Sequence, residues 1–204
     1  MSEVTFPPKR ESTEERRVAI AKAARALIAE KGMEGLRTRD IAERVGINIA
    51  TLHYHVPNKE ALVALVADSM RRDFRAQSIV RPREHLPAVD QLEHEFFDFY
   101  EMLTGEPDII CVIGELSERA RRDPVVRAAI APMQSRWREM VAEILRKGRD
   151  EGSFRPDIDP EAAASMIIGA LVLFRRSGDL TNDNYQRLCA ELRRAVRNPN
   201  FSKD

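Results

Sequence analysis

Cysteine is scarce here: Cys111 and Cys189, far apart in the chain, are all there is. Such a pair supplies neither a disulfide framework nor a zinc site, so a reducing cytoplasm is expected. Aromatic residues make up only 6% of the chain, with one tryptophan. No apolar run is long; Met166 to Phe174 falls well short of the ~20 residues that a bilayer demands. The start, Met1 to Thr13, is polar and contains prolines, unlike a secretory signal. Metal-ligand spacing, a nucleophile elbow, a phosphate-cradling glycine loop and Glu-x-x-His are all missing. No catalytic residue, metal or cofactor is therefore expected. Excess charge is missing too, with 33 basic and 33 acidic residues. That balance at first argues against a nucleic-acid partner.

The distribution of charge and apolar residues says more. Residues 1–75 carry 14 Lys/Arg against 11 Asp/Glu, and the remainder 19 against 22, a mild basic lean that permits DNA at the N-terminal end. With 43% hydrophobic and 32% charged residues, the chain can bury a core and keep a charged surface. Apolar residues recur at helical spacing almost throughout, which predicts an all-α protein. Ser12 and Glu15 form a capping-box pattern before a face of Ile20, Ala24, Leu27 and Ile28, closed by Gly32. A short helix follows from Thr38, its expected N-cap, to Val45, and Gly46 ends it. The next begins after Asn48, a second N-cap, with Ile47 and Leu52 placed as a hydrophobic staple. Pro57-Asn58 leads into a helix to about Ala76, and the segment Ile79 to Pro87, with two prolines, is expected to be a loop. Further helices are expected at about 88–104, 107–122, 124–151, 159–176 and 182–196, with Pro107, Pro124 and Pro160 in first turns. The ends, about 1–11 and 198–204, are expected to be loose.

Two short helices joined through Gly46 make a helix-turn-helix, whose second helix can enter the major groove. Asn48, Thr51, His53, Tyr54 and His55 supply polar groups there, with Arg37, Arg39 and Arg44 nearby and Lys59 at the next helix start. Each has a plainer reading as well: Thr38 and Asn48 cap helices without DNA, and Arg44 suits a solvated surface. His53 and His55, two residues apart, do not present a metal pair from one helix face.

The run from Thr38 to Leu62, TRDIAERVGINIATLHYHVPNKEAL, resembles the DNA-binding domain of the TetR family of transcriptional regulators. The resemblance covers about residues 12–68; beyond it the chain is similar only in style, with long helices and Glu151 to Asp157 before the penultimate one. By position it implies phosphate contacts from Thr38, Thr51, Tyr54 and Lys59, and base-facing roles for Asn48, Ile49 and Ala50, with Arg37 or Arg39 reaching in. Two residues depart from the family pattern. His53 stands where tyrosine is usual, and its charge near neutral pH would make a phosphate contact pH-sensitive. Val56 stands where phenylalanine is usual and fills less volume.

The resemblance further implies a helix-turn-helix DNA-binding domain at 12–57, a connecting helix at 58–76 and a helical-bundle regulatory domain at 77–197. Leu92, Phe96, Phe99 and Leu103 share a stripe, as do Ile130, Met133, Trp137, Met140, Val141 and Ile144, and a bundle of these faces can enclose an apolar pocket. The expected lining is Phe96, Phe99, Tyr100, Met133, Trp137 and Phe174; an ordinary packed core is the plainer reading. Met166 to Phe174 is apolar all round, which asks for a partner chain, so a homodimer through the last two helices is expected. Its paired heads would read a palindromic operator in double-stranded DNA, and a small-molecule effector would release it. Two other classes compete: a helical enzyme using His94 with Glu93 or Glu95, or His85, and an interaction module keeping the helix-turn-helix as scaffold.

Overall fold

The computed structural model describes residues 12–201, leaving aside the side chains of Gln77 and Ser78. In chain order the helices are α1 (Thr13–Lys31), α2 (Thr38–Val45), α3 (Ile49–His55), α4 (Lys59–Val80), α5 (Ala88–Gly105), α6 (Pro107–Ala120), α7 (Pro124–Asp150), α8 (Pro160–Arg175) and α9 (Asn182–Val196). A 3-10 turn, Met33–Gly35, follows α1. No strand occurs among the described residues beyond one isolated bridge between Phe154 and Arg197. The all-α expectation is met.

Local signals account for most boundaries. Ser12 Oγ accepts from the Glu15 amide at 3.1 Å while Glu15 accepts from the Ser12 amide at 2.7 Å, so two orphan donors of α1 are satisfied reciprocally. Gly46 ends α2 in the left-handed region at φ 73°, which glycine enters without a Cβ penalty. Asp159 and Thr181 cap α8 and α9 through their side chains.

Three expectations need correction. Thr38 is the first residue of α2, not its N-cap; Arg37 holds the extended cap conformation and makes no side-chain cap bond. Helix α4 runs to Val80, a turn past the expected end. Ile79 and Val80 stay exposed, so these two give no apolar face to betray the helix in the sequence, and Pro82 stops it soon after. The stretch after α9 is tied down rather than loose. Asn198 donates its amide to Ser153 O at 3.0 Å and its side chain to Gly152 O at 2.8 Å. Residues 1–11 and 202–204 lie outside the described residues.

The chain forms two compact units. The first comprises the described residues up to Asp73 together with Cys111–Ala129. Helix α1 packs on α2 and α3, and Ile20, Leu27, Ile28, Ile41, Leu52, Leu65, Val66 and Met70 are all buried. The later segment is fixed by polar contacts within the same unit. Glu115 accepts the Met33 amide at 3.3 Å, and Arg119 pairs with Glu34 at 2.5 Å.

The second unit comprises Phe74–Ile110 and the described residues from Ile130 onward. Its core joins Leu92, Phe96 and Phe99 of α5, Val141 and Leu145 of α7, Ile167 and Leu171 of α8, and Tyr185 and Leu192 of α9. The Tyr185 hydroxyl, buried with its ring, donates to Phe96 O at 2.6 Å, so its polar tip is satisfied. Gly148 lets Phe154 lie against α7, since a Cβ there would sit 2.1 Å from Phe154 Cδ2. Gly148→Ala is therefore expected to destabilise the protein by ~1–3 kcal/mol through overpacking. Urea unfolding of the two proteins measures this, and an unchanged midpoint would contradict the close packing of Phe154.

Candidate nucleic-acid interface

Helix α3 has only seven residues, too short to persist alone, so its surroundings must hold it. Asn48 Oδ1 accepts the Thr51 amide at 2.7 Å and fixes the N-terminus. Leu52 and Val56 are buried and anchor the inner face. Arg17 of α1, which sequence reasoning missed, donates from Nη1 to His55 O at 3.3 Å and satisfies a terminal carbonyl. No local pattern announces that contact, because Arg17 and His55 are 38 residues apart.

What remains of α3 faces outward. Tyr54 is 80% exposed, and Asn48, Ile49, Ala50 and His53 are exposed, while Thr51 is half-buried. Arg37, Thr38 and Arg39 are exposed at the start of α2, as is Lys59 at the start of α4. Arg37, Thr38, His53 and Lys59 meet at the rim of one recess of about 380 Å³, floored by Met33, Leu36, Leu52, Val56 and Leu62. Thr38 and Lys59 are also first residues of their helices, so the positive ends of α2 and α4 open at this rim, a setting that favours phosphate. Asn58 caps α4 by accepting the Ala61 amide at 2.8 Å. Val56 forms part of the floor, the position where the family pattern has phenylalanine.

Arg44 is spent elsewhere. Its guanidinium forks onto Glu30 of α1 at 2.8 and 2.9 Å, and this pairing holds the Glu30 carboxyl below its usual range. Lys31 and Asp40 pair at 3.2 Å beside it. Both pairs tie α2 to α1. Lys59 lies 3.8 Å from Asp123, whose carboxylate also caps α7.

In the second unit, Phe96, Phe99 and Phe174 are buried, and Tyr100, Met133 and Trp137 half-buried. The Phe99 ring lies nearly parallel to Trp137 with centroids 6.0 Å apart. Tyr185, not among the expected lining residues, is the hub, with Phe99, Tyr100 and Phe174 at 6.4, 4.8 and 5.3 Å. Sequence reasoning also missed the charge packed beside these rings. Glu95 and Asp98 are buried, and Trp137 Nε1 donates to Glu95 Oε1 at 2.5 Å. Glu93 is taken by Arg193 at 2.5 and 2.7 Å, so the two glutamates flanking His94 serve separate partners. Among the described residues no group of three or more His, Cys, Asp or Glu side chains could hold a metal ion.

A short polar helix, set across a glycine turn from a second short helix and flanked by cations and helix N-termini, defines a helix-turn-helix DNA-binding protein. Residues 20–66 match the family model described as bacterial regulatory proteins, tetR family, and residues 110–197 match that of the tetracyclin repressor-like C-terminal domain. The HTH-type transcriptional repressor KstR2 of Mycobacterium tuberculosis is 27% identical over 156 residues, 74% of this chain and 76% of that protein. A TetR-family regulator from Agrobacterium tumefaciens superposes with a TM-score of 0.77 at 19% identity, covering 92% of this chain and all of that one. AibR, solved with isovaleryl coenzyme A and operator DNA, gives a TM-score of 0.70 at 24% identity, covering 87% of this chain and 96% of its own. The chain belongs to the TetR family and is a DNA-binding transcriptional regulator.

Burial raises the Glu95 carboxyl above its ordinary value of 4.5, against the lowering effects of Arg83 and the Trp137 hydrogen bond. An acid raised in the folded state weighs against folding once the pH exceeds its unfolded value. Glu95→Gln is thus expected to unfold at higher urea than the parent at pH 7. The advantage should shrink as the pH falls towards 4.5, where the unfolded carboxyl also becomes neutral. Urea midpoints across that range test it, and a loss of stability at pH 7 would mean that the charged form is favoured inside.

Proposed function

We propose that this regulator is a homodimeric repressor that holds a palindromic operator and releases it when a small-molecule effector binds its second unit. The observation that carries the DNA half is the recess where α2, α3 and α4 bring Thr38, Arg37, His53 and Lys59 together. In this reading Thr38, Thr51, Tyr54, Lys59 and His53 hold phosphates. Asn48, Ile49 and Ala50 face base edges, with Arg37 or Arg39 beside them. The division of labour is 12–57 for DNA, 58–76 for connection, and 77–197 for sensing and dimerisation. Phe96, Phe99, Tyr100, Met133, Trp137 and Phe174, joined by Tyr185, form the effector site. KstR2 is itself a repressor, and AibR binds both a small molecule and operator DNA. We assign no catalytic role. No described helix is long and apolar enough to cross a membrane, in keeping with a cytoplasmic regulator.

The dimer is assigned to α8 and α9. Helix α8 turns Met166, 44% exposed, and Leu173, 69% exposed, outward on one stripe with Gly169, an unusual surface for a chain acting alone. A second copy covers it and sets two recognition helices ~34 Å apart, or slightly more, for successive turns of the groove.

Selection of genomic fragments with purified protein, followed by titration at several salt concentrations, tests the DNA half. A palindromic site with a steep salt slope is expected, with Lys59→Met lowering the slope by about one unit across all sequences. Equal weak binding of every fragment would defeat the operator reading. Leu173→Glu is expected to convert the dimer to monomer in analytical ultracentrifugation and to weaken operator binding. A dimer that survives it would move the interface elsewhere.

A further inference from the structure

The polar groups beside the aromatic hub belong to one connected chain that runs out to the loop after α4. Trp137 donates to Glu95, and Arg83 Nη1 lies 3.5 Å from Glu95 Oε2 and 3.0 Å from Asp98 Oδ2. Arg81 donates to Asp98 at 2.9 Å, forks onto Glu101 at 2.8 and 2.9 Å, and covers the Phe97 ring at 5.0 Å. The inner three are deeply set, with side chains 7% exposed at Glu95, 9% at Asp98 and 11% at Arg83.

Arg83 is the misfit in this chain. Its Nη1 is buried and near two carboxylates, yet makes no hydrogen bond. A buried ion pair repays its desolvation only when the geometry is good and the remaining donors are satisfied. Arg83 also comes from a loop rather than a helix, so less packing holds it there. Gln91 and Lys147 hold that loop through the carbonyls of Glu84 and Leu86, downstream of Arg83.

The site around it is made for a cation. Glu95 and Asp98 face inward, Trp137 and Phe99 present parallel rings at 6.0 Å, and Tyr100 stacks on Tyr185 at 4.8 Å. Buried carboxylates beside aromatic faces attract an ammonium by charge and by the ring quadrupole. An anion would meet two carboxylates, with the Arg81 guanidinium already taken by Asp98 and Glu101 and only Arg83 left to pair with it.

We propose that the effector is an organic cation, a protonated or quaternary amine with an apolar body, and that Arg83 is its tethered stand-in. The incoming cation pairs with Glu95 and Asp98 against Trp137 and displaces Arg83, releasing one of the ties on the loop that continues directly from α4. Its differential affinity for the state with Arg83 expelled then sets how far the equilibrium moves. This rests on reading the aromatic core as the effector site.

Trp137 is the only tryptophan and touches Glu95, so its fluorescence reports the site without DNA. The full-length protein is titrated with benzyltrimethylammonium and tetraethylammonium, and with hexanoate, at constant ionic strength. A saturable emission change is expected for the cations alone. Arg83→Met should tighten cation binding roughly tenfold, because the internal competitor is gone. Glu95→Gln should weaken it by tenfold or more, as should Asp98→Asn, which serves as a second variant if either fold is disturbed. Tighter binding of hexanoate, lost in Arg83→Met, would overturn the proposal, as would a folded protein whose Trp137 ignores both cations. Operator titration with the same probes separates the two readings. If another small molecule releases operator while Trp137 stays blind to cations, effector release survives and the cation site falls.

Discussion

A seven-residue helix cannot hold itself in water, and everything that would read DNA in this protein is arranged around that limit. Helix α3 is fixed at its start by Asn48, along its inner face by Leu52 and Val56, and at its end by Arg17 reaching from α1. Helix α1 acts as the frame. It also takes Arg44 and Asp40 of α2 through Glu30 and Lys31, so both arms of the helix-turn-helix hang on one helix. The polar side chains of α3 then need make no contribution to stability, and Tyr54 can stand exposed. Asn48 is the exception, exposed and also the cap that fixes the start of α3.

The same unit recruits a segment from far along the chain. Glu115 takes a backbone donor just past the end of α1, Arg119 reaches Glu34, and Asp123 faces Lys59. Lys59 therefore stands between a carboxylate fixed by its capping bonds and the recess it shares with Thr38 and His53. Both partners are partly solvated, so their attraction is weak and screened by salt.

The second unit solves a different problem, that of burying charge among aromatic rings. Glu95 is held there by the indole of Trp137 and by Arg83, and the raised carboxyl shows that these partners do not fully offset its lost hydration. Tyr185, by contrast, is fully reconciled with its surroundings through Phe96 O, and it organises the rings around it. A satisfied hub beside an unsatisfied charge places rigidity and lability side by side.

The sequence by itself determined the all-α class, nearly every helix boundary and the turn at Gly46, because caps, glycines, prolines and apolar spacing act within a few residues. It also marked the outward residues of α3, since alternation of polar and apolar positions on a short helix leaves little choice of face. It misplaced the start of α2 by one residue and the end of α4 by a turn, where the local signal was a threonine that also suits a first turn and the exposed pair Ile79 and Val80. Only the tertiary structure decided which charges would be spent inside. Arg17, Arg83, Glu95 and Asp98 look like any other surface residues in a chain with 33 charges of each sign. Their partners lie between 12 and 42 residues away where they are not neighbours on α5, and nothing in the local pattern encodes which distant group they will meet. Packing brings those groups together, and at that distance from water the interaction becomes strong enough to matter.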